Sequence, residues 1–224
     1  MKPEQKYDAI SRLVKTAGYC CMLLMATCYL SSCKKLTGCI TTTGYNEYYV
    51  ELPVKLYPAK DTFKIGDTIF MEQSFKDELY DYHNHRTMKF DNFDFRNVMI
   101  LSNLLDYKDY SIKHEYYTLK GQTELTSYND YQIKYDYNNG VYTHKVVFVL
   151  KKAGLFDISF LSFRGGGDKV DFTNCKTENL FISFSMNNKV DNNFYMRAES
   201  DYPPTAVTTK EEFDKFGGYC FYVK

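Results

Sequence analysis

Apolar side chains alternate with polar ones in several separate stretches of this chain, and that period of two is what most restricts its fold. Tyr48, Val50, Leu52, Val54 and Leu56 fall on one side of an extended segment, with Glu51 and Lys55 on the other. Phe156, Ile158 and Phe160 alternate with Asp157 and Ser159, and Leu180, Ile182, Phe184 and Met186 alternate with Phe181, Ser183 and Ser185. Successive side chains of a strand point to opposite faces, so such stretches are half-buried strands; a helix would need apolar residues three and four apart. Composition points the same way. The chain carries 22 Tyr and 17 Phe and no Trp. Aromatic residues fit a pleated, half-buried surface, and alanine, the best helix former, is scarce. The expected fold is all-β, an antiparallel β-sandwich with Phe filling the core and Tyr half-buried.

Turn chemistry divides the rest. Pro53 and Pro58 cannot donate to a ladder, so the first strand is expected at an edge. Gly66-Asp67 is a turn into a strand from Ile69 to Phe75, and residues 76–94 form a long polar hairpin or loop. Another strand covers residues 98–105, and the Tyr-rich stretch 107–138 holds one or two exposed strands. Asn138-Asn139-Gly140 is a strong turn signal. The apolar run 141–150 is predicted to be a central strand whose hairpin partner follows the Ala153-Gly154 turn, so residues 138–163 read as a hairpin pair. Thr209-Lys210-Glu211-Glu212 is a capping-box pattern, predicting one short C-terminal helix over 210–216 that Gly217-Gly218 stops. Residues 219–223 make a final strand.

The first 33 residues read differently. Residues 1–16 carry Lys2, Lys6, Arg12 and Lys15 against Glu4 and Asp8; residues 17–30 are apolar; Ser31 and Ser32 precede Cys33. A basic segment, an apolar run and small residues before a cut are the parts of a secretory signal. Fourteen helical residues span about 21 Å, short of the roughly 30 Å hydrocarbon core. Leu30-Ser31-Ser32-Cys33 resembles the lipobox of bacterial lipoproteins. That resemblance implies diacylglyceryl attachment to Cys33, cleavage before it, and stable membrane anchoring, since several acyl chains on one residue hold where one is marginal. The organisation expected is a signal peptide over 1–32, a flexible tether over 33–46 and a single β-sandwich domain over 47–224. Lys60-Asp61-Thr62-Phe63-Lys64-Ile65-Gly66-Asp67-Thr68-Ile69 resembles the opening of immunoglobulin-like sandwiches in bacterial surface and periplasmic proteins. With the lipobox and the closing Gly218-Tyr219-Cys220-Phe221, the pattern resembles Bacteroidota-type lipoproteins, a resemblance that brings no activity with it. Lipoproteins of that type exported to the cell surface often carry acids just after the cysteine. Lys34-Lys35-Leu36-Thr37-Gly38 stands there instead, which implies the periplasm-facing side of the outer membrane.

Removing residues 1–32 takes four basic and two acidic side chains from totals of 28 each, leaving a net charge of −2. No nucleic acid partner is expected. Cys20, Cys21 and Cys28 leave with the signal, and lipidated Cys33 leaves Cys39, Cys175 and Cys220 in an oxidising compartment. One bridge is possible. A Cys175–Cys220 bond would close a loop of about 45 residues, worth roughly 4 kcal/mol in the chain-entropy view; Cys39 joining either one, or three free thiols, are the alternatives.

Motifs of catalysis are missing: there is no G-x-S-x-G elbow, no H-E-x-x-H, and Arg164-Gly165-Gly166-Gly167-Asp168 lacks the Lys-Ser/Thr of a phosphate loop. His83 and His85, at strand spacing, would share a face, with Asp77, Glu78 and Asp81 nearby. Zinc needs three or four ligands held in place, so they are weak metal candidates around which a metal-dependent hydrolase is the third reading. No cofactor is expected. The first reading is a membrane-anchored, non-catalytic module that binds a protein or glycan partner or supports the envelope. The second is a glycan-binding lipoprotein using Tyr faces within residues 107–137.

Overall fold

The structure is a computed structural model and describes residues 46–106, 112–127, 129–162, 168–169, 178–190, 192–201 and 209–224. Cys33, Cys39 and Cys175, the apolar run and residues 164–167 lie outside them. In chain order the strands are β1 (Asn46–Tyr57), β2 (Thr62–Phe63), β3 (Thr68–Lys76), β4 (Glu78–Asp81), β5 (Arg86–Lys89), β6 (Asn97–Asn103), β7 (His114–Lys120), β8 (Gln122–Ser127), β9 (Asp130–Lys134), β10 (Asp136–Asn138), β11 (Val141–Leu150), β12 (Gly154–Ser162), β13 (Asp168–Lys169), β14 (Glu178–Met186) and β15 (Tyr219–Val223). One α-helix is described, α1 (Lys210–Lys215), with the predicted capping box: the Thr209 side chain accepts from the Glu212 N–H while the Glu212 side chain accepts from the Thr209 N–H.

These strands form a β-sandwich. One sheet has the order β10-β11-β3-β1-β14-β13, with β7 beside β10 along the free side of β11; the other has the order β2-β15-β12-β6-β9-β8; β4 and β5 form a separate hairpin. Each long strand sends alternate residues inward. Val50, Leu52, Val54, Met71, Val146, Phe148, Leu180 and Phe184 come from the first sheet, and Met99, Leu101, Tyr131, Ile133, Phe156, Ile158, Phe160 and Phe221 from the second. The layers meet ring to ring, with Phe160 and Phe184 5.0 Å apart and Tyr131 and Phe148 5.7 Å apart at their centroids. Each fully buried side chain of this size contributes about 1.5–3 kcal/mol. Most pairings are antiparallel, but β1 runs parallel to β14 and β2 parallel to β15.

Several expectations need correction. β1 is not an edge strand: it lies between β3 and β14. Its prolines are tolerated because β3 pairs only with Lys55–Tyr57, leaving the earlier residues laddered on the β14 side alone. Tyr49 turns its N–H away from β14 to the Asp81 carboxylate, and Pro53, two pleats on, faces the same unladdered side. β11 and β12 are not a hairpin either. β11 pairs with β3, β7 and β10, and β12 with β6 and β15. The chain crosses between layers at residues 151–153; strands facing one core from opposite layers show the same alternation as strands lying side by side. The described residues of the stretch 107–138 form four strands, and β9 is buried through Tyr131 and Ile133. Gly121 (φ 71°) swings the chain from β7 in one sheet to β8 in the other, which breaks the periodicity. Finally, Tyr48, Tyr131, Tyr142 and Tyr219 are fully buried rather than half-buried. Burial is tolerated where the phenol finds a partner: the Tyr142 hydroxyl donates to the Phe90 carbonyl and the Tyr219 hydroxyl to the Lys60 carbonyl.

Candidate functional site

An aromatic cluster stands on the outer face of the first sheet. Tyr49 of β1 and Phe181 of β14 are direct neighbours across the parallel pair, and their rings stack at 4.6 Å with a 14° tilt. His83 lies against Tyr49 at 5.4 Å. It comes from the turn of the β4–β5 hairpin, whose tip presents Tyr82, 55 % exposed.

Asp81 holds this turn to the sheet. Its side chain is wholly buried and accepts the N–H groups of Tyr49 at 3.0 Å and His83 at 3.1 Å, together with the Asn84 side-chain amide at 2.7 Å. The Tyr82 N–H donates to the Tyr49 carbonyl, and the Asn84 amide reaches the Glu47 carbonyl. Burial works to raise the Asp81 carboxyl, yet these donors outweigh it and hold the pKa below the ordinary aspartate value. Asp81 is therefore a positioning residue for Tyr49, Tyr82 and His83.

Beside the cluster runs a groove of about 740 Å³ between the sheet and α1. Tyr49, Tyr82, Phe181 and Phe216 give it aromatic surface, while Glu211, Asp214 and Lys215 of the helix give it charge. Glu51 and Lys189, also on the lining, form an ion pair with each other. Phe216 ties the helix down, bridging to Phe184 of β14 and accepting the Phe160 N–H of β12 at 2.8 Å.

A second cavity, about 310 Å³, lies on the outer face of the other sheet. Its lining includes Ser102, Asp157, Ser159, Arg197 and Phe213. Asp157 and Arg197 form an ion pair there with side chains only 7 % and 12 % exposed. Burial pushes the Asp157 carboxyl up to about 6, against the opposing pull of Arg197.

The sequence-predicted residues fall as follows. His83 and His85 sit in the β4–β5 turn, not on a strand face, because the chain reverses there with His85 at φ 51°. His85 makes a 3.5 Å contact with the Tyr80 hydroxyl. Among the described residues no three His, Cys, Asp or Glu side chains converge as metal ligands would. Of the Tyr-rich stretch, Tyr131 is in the core, half-buried Tyr135 donates its hydroxyl to the Gln73 side chain, and Tyr137 is bound to Asp77 and Asp91. Tyr117 is exposed. That stretch offers no cluster of exposed rings among its described residues; the rings on the groove, which the composition did not single out, are exposed Tyr82 and the half-buried, mutually stacked Tyr49 and Phe181. The candidate bridge between Cys175 and Cys220 falls partly outside the described residues; Cys220 itself is a buried free cysteine in this structure.

No protein-family model matches the sequence, and no curated protein is similar to it in sequence. Solved structures that resemble it in part include those of three other proteins. The human F-spondin reeler domain matches over 65 % of this chain and 93 % of its own, at 11 % identity and a TM-score of 0.33. The type II cohesin dyad from the adaptor ScaA scaffoldin of Acetivibrio cellulolyticus matches over 60 % of this chain at 10 % identity and a TM-score of 0.28. The CupB6 tip adhesin of Pseudomonas aeruginosa matches over 63 % of this chain at 13 % identity and a TM-score of 0.17. The match spans 46 % and 42 % of the cohesin and adhesin chains.

Proposed function

We propose that this chain is a non-catalytic glycan-binding module, anchored to the periplasm-facing side of the outer membrane through lipid on Cys33. The observation that carries the binding half is the groove whose aromatic surface, Tyr49, Tyr82 and Phe181, faces the charged side of α1. Ligand sites combine apolar and aromatic walls with a few placed polar groups. A pyranose matches that division, because its C–H face packs on an aromatic ring while its hydroxyls reach outward to carboxylates and ammonium groups. The Tyr faces of the second sequence reading are thereby moved from residues 107–137 to β1, β14 and the β4–β5 turn. The anchoring half rests on the lipobox resemblance at Leu30-Ser31-Ser32-Cys33.

A glycan array probed with the full chain in detergent tests the binding half. Retention on one class of oligosaccharide is expected, weakened at least tenfold by Tyr49→Ala combined with Phe181→Ala, as for truncated interface anchors. No retention on any glycan, or retention unchanged in the double variant, refutes it.

A further inference from the structure

The smaller cavity makes chemical demands of its own. On β6 and β12, Met99, Leu101, Phe156, Ile158 and Phe160 face the sandwich core, so Ile100, Ser102, Asp157, Ser159 and Leu161 face outward. Phe213 of α1 and Met196 of the 3-10 turn Phe194–Glu199 lie over that face, packing with Leu104, Leu155 and Cys220 into a small second core. Between them the cavity stays open, with the Asp157–Arg197 pair on its wall.

That pair is costly as architecture. Taking two charges out of water carries a large desolvation penalty, and apolar side chains of similar volume often hold two elements together as well or better. A buried charge pair beside a cavity is the arrangement expected where a ligand is to be recognised.

We propose that this cavity is a second binding site, which takes one neutral, ring-sized polyol, a single uncharged sugar residue. Charge selects the class. Ionised Asp157 only accepts hydrogen bonds and Arg197 only donates them. A carboxylate ligand would be drawn to Arg197 and repelled by Asp157, and an ammonium ligand the reverse. A hydroxyl both donates and accepts, so adjacent sugar hydroxyls suit both members of the pair as well as the Ser102 and Ser159 hydroxyls. Phe213, with the Arg197 guanidinium 5.8 Å from its ring centroid, supplies an apolar face. The volume, about 310 Å³, lies at the small end of ligand sites. Leu161 and Phe216 line both this cavity and the groove. Where the reading of the groove as a glycan surface holds, this cavity is the subsite for the sugar at one end of the bound chain.

Calorimetry on the full chain in detergent tests it, with glucose, galactose, mannose and xylose as probes and the matching uronic acids and amino sugars as charged counterparts. At least one neutral sugar should bind, its charged counterparts at least tenfold more weakly. Ser159→Leu, which fills the cavity, should abolish that binding, while Tyr117→Ala, at an exposed ring outside both linings, leaves it unchanged. If Ser159→Leu does not fold, Ser102→Val is read in its place. No heat from any neutral sugar, equal binding of a charged counterpart, or binding indifferent to the filling substitution overturns the proposal. The groove stands or falls separately, on oligosaccharide binding by the Tyr49→Ala, Phe181→Ala variant.

Discussion

His144 should make this fold sensitive to acid in a way that one substitution exposes. Its ring is wholly buried on β11, with Nε2 2.8 Å from the Thr123 hydroxyl and Nδ1 without a hydrogen-bond partner. Burial drives its pKa from 6.5 down to about 4, with Asp136 opposing. Above pH 6.5 the ring is neutral in both folded and unfolded chains. Below that the unfolded chain takes a proton first, so stability falls until about pH 4, where the native ring also charges. A tenfold difference in proton affinity between the folded and unfolded chains is worth about 1.4 kcal/mol, so His144 removes about 3 kcal/mol over the full range and about 2 kcal/mol between pH 7 and 4.5. Asp157 hides the effect. Its carboxyl, raised from 3.8 to about 6, takes a proton in the native state first and so adds stability as pH falls through the same window. A wild-type curve alone sums the two. His144→Gln removes one and leaves the other. Urea unfolding of both proteins at pH 7 and pH 4.5, followed by circular dichroism, isolates the histidine contribution as a difference of differences, in which other groups cancel. The variant's destabilisation relative to wild type should be about 2 kcal/mol smaller at pH 4.5 than at pH 7. An equal destabilisation at both pH values, or a larger one in acid, refutes the assignment.

Asp81→Ala should cost about 2–3 kcal/mol, since it strands buried N–H donors that include that of Tyr49; because the Asp81 carboxyl is held below its ordinary pKa, its contribution is full at neutral pH and lost as pH falls through the native value. An unchanged urea midpoint at pH 7 would contradict this. At Gly218 an added Cβ would stand 2.3 Å from Cδ2 of buried Phe213, so Gly218→Ala should destabilise by about 1–3 kcal/mol through overpacking; a melting temperature equal to wild type would show the contact relaxes freely. Burial holds the Cys220 thiol far above its ordinary pKa, so iodoacetamide should label it only after unfolding without reductant; rapid native labelling refutes the burial, and no labelling on unfolding assigns it to a bridge with Cys175 or Cys39. Cys33→Ala should abolish palmitate incorporation and membrane retention, and retention of both would end the lipoprotein reading.

Local chemistry was legible and long-range pairing was not. The alternation at Val50, Leu52 and Val54 and at Ile182 and Phe184 marked β1 and β14, Asn138-Asn139-Gly140 marked a turn, and Thr209 with Glu212 marked the start of α1. Nothing local says that Tyr49 and Phe181 are neighbours; only the parallel register of two distant strands puts them together. Tyr content drew attention to residues 107–137, but pleat parity turned Tyr131 inward and hydrogen bonds to Asp77 and Asp91 occupied Tyr137. Asp157 alternates with apolar neighbours as a solvent-facing residue does, and α1 with the adjoining turn, contributed from later in the chain, is what buries it. One cue was available: Asp81 shortly before His83-Asn84 is the pattern of a side chain that caps its own turn, which these hydrogen bonds bear out.

The two parallel pairs set the order in which the protein can be completed. β1 waits for β14, and β2 waits for β15, so the earliest described strand of each sheet finds one of its partners more than a hundred residues further along the chain. Contacts between residues so far apart in sequence slow folding, because the intervening chain must be ordered before they form. Until then β1 offers an unladdered edge made of Tyr, Val and Leu, the kind of surface that aggregates or is taken up by a holding chaperone. Loss of β15 alone would leave β2 and one side of β12 without partners, so removing residues 219–223 should lower the yield of folded protein far more than their number suggests.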